Sequence, residues 1–202
     1  MIISGGVIQD YQKIRSFLQE DDYIIAADRG LYHAQKMGVT PHLIVGDFDS
    51  HPLPDTDTDI IVLPCEKDDT DTVSAIRQGL SRGYTSFLLL GCTGGRTDHA
   101  LGNLYSLLMI KKCGGVGVLA DEYCKMQFID KYAWVDESYP YFSLIAMCGP
   151  ADGITVKNAK YPLNNGVITP QYQYGISNEV LPGKRAYIEV KEGELLLIQS
   201  ES

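Results

Sequence analysis

Phe87-Leu88-Leu89-Leu90-Gly91-Cys92-Thr93-Gly94-Gly95-Arg96-Thr97-Asp98-His99 reads as a buried strand, a glycine loop and the start of a helix. The apolar run fits a strand covered on both faces, as in a parallel sheet between helices. Beyond it, Leu101, Leu104 and Leu108, with Ala100 and Leu107 beside them, recur at helical spacing. Gly91, Gly94 and Gly95 permit positive φ and let the backbone approach a phosphate closely. Arg96 is suited to grip a phosphate with its planar fork, and a helix starting near Asp98 offers unpaired N–H groups to an anion.

The same grammar recurs upstream. Tyr23–Ala27 runs into Asp28-Arg29-Gly30, His42–Val45 into Gly46-Asp47-Phe48-Asp49-Ser50, and Ile60–Leu63 precedes Asp68-Asp69-Thr70-Asp71-Thr72. Amphipathic stretches lie between: Tyr11, Ile14 and Leu18, and Val73, Ile76 and Leu80, fall at i, i+3, i+7. Met1-Ile2-Ile3 is a short strand running into the turn Ser4-Gly5-Gly6. Alternation of this kind implies right-handed crossovers and a doubly wound, mainly parallel α/β sheet over residues 1–122. Carboxylates at its strand ends converge on the crevice where such sheets bind ligands.

Asp47 and Asp49, if the chain stays extended, point to one side about 7 Å apart and can share an Mg²⁺; an Asx-turn explains them equally well. Asp69 or Thr70 is the expected helix cap, leaving Asp71 in the first turn facing the crevice. Acidic segments and a glycine–arginine loop, each after a strand, together indicate a Mg²⁺–nucleotide site. Asp28 adds a further strand-end acid.

After Asp121 the helical period vanishes. Tyr141–Ala146, Ala186–Val190 and Leu195–Ile198 are strand-like, and Asn164-Asn165-Gly166 and Glu192-Gly193 read as hairpin turns. Residues 123–202 are expected to form an all-β sandwich. Trp134 is expected to pack in a core or interface, and Tyr172-Gln173-Tyr174 to be an exposed strand or loop.

A net charge of −9 over 202 residues argues against nucleic acid or an anionic membrane as the main partner. The five cysteines show no CxxC spacing and are read as reduced thiols, with Cys92 as packing. His33, His42, His51 and His99 lack metal-ligand spacing, which argues against zinc. No basic leader and no apolar stretch of about 20 residues is present, so the expectation is a cytoplasmic protein.

Four stretches together resemble bacterial thiamine pyrophosphokinases: Asp28-Arg29-Gly30, Val45–Ser50, Lys67-Asp68-Asp69-Thr70-Asp71 and Gly91–His99, with Asn103 four residues on. Lys160-Tyr161-Pro162-Leu163 and Gly175-Ile176-Ser177-Asn178-Glu179 extend the resemblance more weakly into the β-module. It implies Mg²⁺-dependent transfer of the pyrophosphoryl group of ATP to the hydroxyl of thiamine, releasing AMP. It also implies a homodimer with thiamine between the nucleotide domain of one subunit and the sandwich of the other. By position, Asp47, Asp49 and Asp71 are the implied Mg²⁺ ligands, and Asp71, Asp98 and Arg96 the implied catalytic groups. Asp28, Arg29, Gly30, Lys67, Thr70, Thr93, Gly94, Gly95, Arg96, Asp98, His99 and Asn103 are the implied nucleotide-side contacts. Ser177 and Asn178 are implied to reach the thiamine pyrimidine. Either Asp98 or Asp71 is the proton acceptor. Val73 stands where relatives often carry an acid, and Tyr161 where some carry Trp. The rival readings are a ligand sensor without turnover, and a phosphohydrolase with Asp47 as nucleophile.

Overall fold

The computed structural model describes residues 1–49 and 53–201, so Ser50 and His51 lie outside the described residues. The chain divides into two units, residues 1–122 and 123–202.

The first unit carries strands β1 (Ile2–Ile3), β2 (Ile25–Ala27), β3 (Leu43–Gly46), β4 (Asp59–Val62), β5 (Ser86–Leu90) and β6 (Val116–Ala120). Their spatial order is β4-β3-β2-β1-β5-β6, and every pairing is parallel. Helices α1 (Tyr11–Arg15), α2 (Gly30–Met37), α3 (Asp71–Ser81) and α4 (Thr97–Lys112) lie between them in the chain. The chain winds outward from β1 to β4, then restarts on the other side of β1 at β5. That reversal is a topological switch point, beyond which doubly wound sheets open their ligand crevice. Ile3, Ile14, Ala34, Leu90 and Ala120 are completely buried in one cluster; each large aliphatic contributes about 1.5–3 kcal/mol on burial.

Helix α3 turns a different face inward than its large residues suggest. Thr72, Ala75, Ile76 and Gly79 are buried, whereas Val73 and Leu80 are partly exposed. The small residues let the helix lie close: a Cβ on Gly79 would sit 2.6 Å from the Phe87 ring, and Thr72 bonds Ser4 by its hydroxyl at 2.6 Å. In α4, Asn103, Leu104, Ser106, Leu107 and Ile110 face inward and Leu101 is exposed. Helix α1 ends at Arg15, so Leu18 packs from the following turn. Strand β4 is the outer strand, which is why Ile60 and Ile61 are only partly buried and Val62 is exposed.

The second unit consists of β7 (Cys124–Ile129), β8 (Tyr132–Val135), β9 (Tyr141–Ile145), β10 (Ala151–Lys157), β11 (Leu163–Ile168), β12 (Ala186–Glu189) and β13 (Leu195–Ser200). One antiparallel set runs β7-β13-β9 and the other β11-β10-β12-β8. Phe142, Leu144, Leu195 and Leu197 from the first share one core with Val135, Ile154, Val156, Ile168 and Ile188 from the second, which makes a sandwich.

Neither expected hairpin forms. Asn164-Asn165-Gly166 lies inside β11, where Asn165 has φ 53° and the register against β10 shifts, so its left-handed tolerance serves a bulge. Glu192-Gly193 connects β12 to β13, which belong to different sheets. Trp134 is about half exposed, tilted against Tyr187 with Arg185 over its ring, rather than in the core. Tyr172 and Tyr174 are exposed as expected.

Candidate active site

A cleft of about 590 Å³ opens in the first unit at the β1/β5 switch point. Its floor is two loops zipped together by backbone bonds: Ser4 N–H to Leu90 O at 2.8 Å, Gly6 N–H to Gly91 O at 2.7 Å, and Val7 N–H to Thr93 O at 3.2 Å. The approach is so close that a Cβ on Gly6 would lie 2.5 Å from both Gly91 O and Thr93 O. Gly91, Gly94 and Gly95 all have positive φ, as their loop requires.

Ser4-Gly5-Gly6-Val7 therefore lines the cleft, a role beyond the turn expected of Ser4-Gly5-Gly6. The available signal was a small residue and two glycines directly after the first strand, the place where dinucleotide folds bring backbone to phosphate.

The opposite wall comes from β2 and the approach to α3. Asp28, with φ 49°, and Arg29 line it, joined by Lys67, Asp69, Thr70 and Asp71. Thr70 caps α3, its hydroxyl accepting from Val73 N–H at 3.3 Å, and Asp71 opens the first turn. Lys67 Nζ lies 2.7 Å from Asp47 Oδ2 and 3.1 Å from Asp71 Oδ1. All three side chains are largely buried, 15–22% exposed. The Asp71 contact is a close ion pair without hydrogen-bond alignment: Asp71 Oδ1 is buried and has no hydrogen-bond partner.

The charges respond accordingly. Burial, with the Asp47 and Asp28 charges, holds Asp71 above the usual carboxylate range against the pull of Lys67. Asp47 is held low by the Lys67 bond and the Asp49 N–H. Burial alone would lower Lys67, but its two carboxylates outweigh that and hold it above its ordinary value.

Thr93, Gly94, Gly95, Arg96, His99 and Asn103 complete the cleft. Thr93 donates to Asp121 at 2.9 Å, and the buried Asn103 amide donates to Cys92 O at 3.0 Å. Arg96 forks onto Asp98 at 2.6 and 3.2 Å, an exposed pair at the head of α4. That bond, then the His99 N–H, presses Asp98 down to about 2. Such exposed pairs are weak, so Arg96 can change partners at little expense. Cys92, at the base of the cleft, is buried and its thiol is pushed up to about 12, in keeping with its reading as packing.

Several expectations need correcting. Of the two readings of Asp47-Phe48-Asp49 the extended one fails, Phe48 having φ 54°, and the Asx-turn holds, with Asp49 N–H donating to Asp47 Oδ1 at 3.3 Å. Asp49 is exposed, and among the described residues no three His, Cys, Asp or Glu side chains are gathered for one ion. Gly30 does not line the cleft; a Cβ there would lie 1.9 Å from Ile3 O, so its glycine serves the packing of α2 on β1. Asp98 also stands outside the cleft lining, engaged by Arg96.

In the second unit, Asn178 is buried, its Oδ1 accepting from the Tyr161 and Glu179 N–H groups and its Nδ2 donating to Tyr161 O. Most of its capacity thus braces the Lys160–Pro162 turn. Ser177 is exposed at φ 56°, its N–H donating to Ser143 Oγ. A hollow of about 160 Å³ beside them is walled by Leu144, Tyr161, Leu163, Tyr174 and Ile176.

The fold and site define a class of two-unit proteins: a doubly wound α/β unit with a glycine- and acid-lined ligand crevice at its switch point, followed by an antiparallel sandwich. Comparison with known proteins narrows it: residues 14–115 match the thiamin pyrophosphokinase catalytic domain and residues 131–195 the thiamin pyrophosphokinase vitamin B1 binding domain. The chain belongs to the thiamine pyrophosphokinase family and is a kinase. It is 29% identical to thiamine pyrophosphokinase of Bacillus subtilis (strain 168) over 98% of this chain and 97% of the relative. A crystal structure of the enzyme from B. subtilis superposes with a TM-score of 0.86 at 28% identity, covering 98% of this chain and 97% of that one. That of thiamin pyrophosphokinase from Geobacillus thermodenitrificans gives 0.85 at 29% identity, covering 100% and 96%.

Proposed function

We propose that the enzyme moves an intact pyrophosphoryl group from ATP to the primary hydroxyl of thiamine, giving thiamine diphosphate and AMP. Family membership supports the reaction. The observation that carries its placement in the cleft is Asp71: a buried carboxylate oxygen with no hydrogen-bond partner, beside a glycine loop at the switch point.

Lys67 lies between Asp47 and Asp71 and offsets their charge, and two carboxylates on one cleft are a donor set that suits Mg²⁺, which takes one or two carboxylates with waters and phosphates. Asp47 and Asp71 would hold it; Asp49 stands exposed beside Asp47. When bound, Mg²⁺ supplies neutralisation of the phosphate oxygens.

The chain's own groups account for the rest. The 4–7 and 91–95 loops bring backbone against the phosphates, and Arg96 exchanges Asp98 for a phosphate oxygen. The thiamine hydroxyl oxygen attacks Pβ, the bond from Pβ to the α,β-bridging oxygen breaks, and its electron pair leaves with AMP. Asp71 or Asp98 accepts the hydroxyl proton; Asp71 lines the cleft, and Asp98 stands at its edge on Arg96. Holding the hydroxyl against Pβ supplies several of the roughly 7–11 kcal/mol available from orientation.

Ser177 and the 160 Å³ hollow are assigned to thiamine, and the acting species to a cytoplasmic homodimer that completes the thiamine site between subunits. No helix among the described residues is long and apolar enough to cross a membrane.

An end-point assay with ATP, Mg²⁺ and thiamine tests the reading. Equal amounts of AMP and thiamine diphosphate are expected. Phosphate release without AMP would point to a hydrolase using Asp47.

A further inference from the structure

His33 touches no cleft surface, yet it makes the one side-chain hydrogen bond that the described residues give to Gly5-Gly6-Val7. It sits in α2, buried, with Nε2 2.7 Å from Gly6 O and Nδ1 2.8 Å from Tyr11 Oη. A carbonyl only accepts, so Nε2 carries the proton; Nδ1 of the neutral ring then accepts from the Tyr11 hydroxyl. Tyr11 heads α1, so the relay ties both helices to the cleft wall.

The wall needs such a brace. Gly5-Gly6 is a permissive backbone. The bonds to Gly91 O and Thr93 O fix the Gly6 and Val7 N–H groups; among the described residues, the Gly6 carbonyl is held only by His33.

We infer that His33 is a positioning residue: by holding the Gly6 carbonyl away from the cleft, it sets the peptide planes of Gly5-Gly6-Val7 against the nucleotide phosphates. Burial lowers its pKa, in keeping with the neutral ring. The inference rests on the reading that this cleft receives ATP phosphates.

His33→Leu, His33→Gln and Tyr11→Phe test it, with kcat, both KM values, melting temperature and calorimetric titration of ATP–Mg²⁺ without thiamine. Glutamine reproduces the Nε2 donor, and Tyr11→Phe leaves the Gly6 bond intact. His33→Leu is expected to lower kcat about 10–100-fold and to weaken ATP binding, with the thiamine KM within about twofold. His33→Gln is expected to recover to within about threefold of the parent although its melting temperature also falls, and Tyr11→Phe to lose no more than that. The inference is overturned if His33→Leu keeps parental kcat, if glutamine is no better than leucine at matched stability, or if Tyr11→Phe alone matches the leucine loss. Should the leucine variant not fold, the glutamine and phenylalanine variants decide: a tenfold loss in either refutes it. A parent enzyme that fails to bind ATP would instead refute the functional reading.

Discussion

Replacing Lys67 by Met removes the only cation the described residues place between Asp47 and Asp71, while roughly keeping the volume of the stem. With an effective dielectric constant of about 20, unit charges at 2.7 and 3.1 Å attract by about 6 and 5 kcal/mol. Most of that gross attraction is offset by the desolvation Lys67 bears in its largely buried position. Breaking such a pair by removing one partner leaves about 3 kcal/mol of destabilisation, or roughly 6–12 °C for a chain of this size. The pH dependence has a definite sign. Lys67 is held above its ordinary value, so its contribution is full at neutral pH and lost only as pH rises through that raised value. Toward acid pH the gap between parent and variant narrows as Asp71, already raised, takes up its proton, and the rest persists until pH falls through the lowered Asp47 value. Thermal melts of both proteins from pH 4 to 8 read this directly. Adding Mg²⁺ is expected to raise the melting temperature of the variant more than that of the parent, since it relieves the same repulsion. A variant melting within about 1 °C of the parent at pH 7 would refute the reasoning.

Gly6→Ala forces a Cβ against two backbone carbonyls and is expected to destabilise by about 1–3 kcal/mol, with activity falling further than stability; melts beside turnover check it. Thr70→Ala removes the α3 cap and is expected to lose about 1 kcal/mol, measured by urea unfolding. In iodoacetamide at pH 8, exposed Cys65, Cys113 and Cys148 are expected to alkylate while buried Cys92, with its thiol pushed up to about 12, stays unmodified. Peptide mass spectrometry reads this, and ATP is expected to slow Cys65, which lines the cleft.

The doubly wound unit is legible because its strands are continuous apolar runs followed by loops with unusual chemistry. What failed to show was closeness. Helix α3 meets the sheet through Thr72, Ala75 and Gly79, and a hydrophobic period that counts large residues looks past them. Gly30 and Gly6 are glycines because another backbone lies against them, a constraint set by residues far along the chain. The Asp47 turn depends on one left-handed residue, Phe48, a conformation that nothing in an aromatic side chain announces. In the sandwich, Asn164-Asn165-Gly166 and Glu192-Gly193 read as hairpin turns because a bulge, a crossover and a hairpin ask for the same residue types. Lys67 was legible as part of an acidic segment, and its place between two carboxylates was not.

Strand β13 completes its sheet from the middle, between β7 and β9. During translation both neighbours emerge long before it, with bare edges facing each other across a missing strand. At roughly 5–20 residues per second, residues 146–200 take about 3–11 s to synthesise. Through that interval a direct β7–β9 pairing, or pairing with another nascent chain, competes with the native sheet. The yield of folded enzyme therefore depends on how quickly the ribosome delivers β13, and on whether a holdase shields β9 until then.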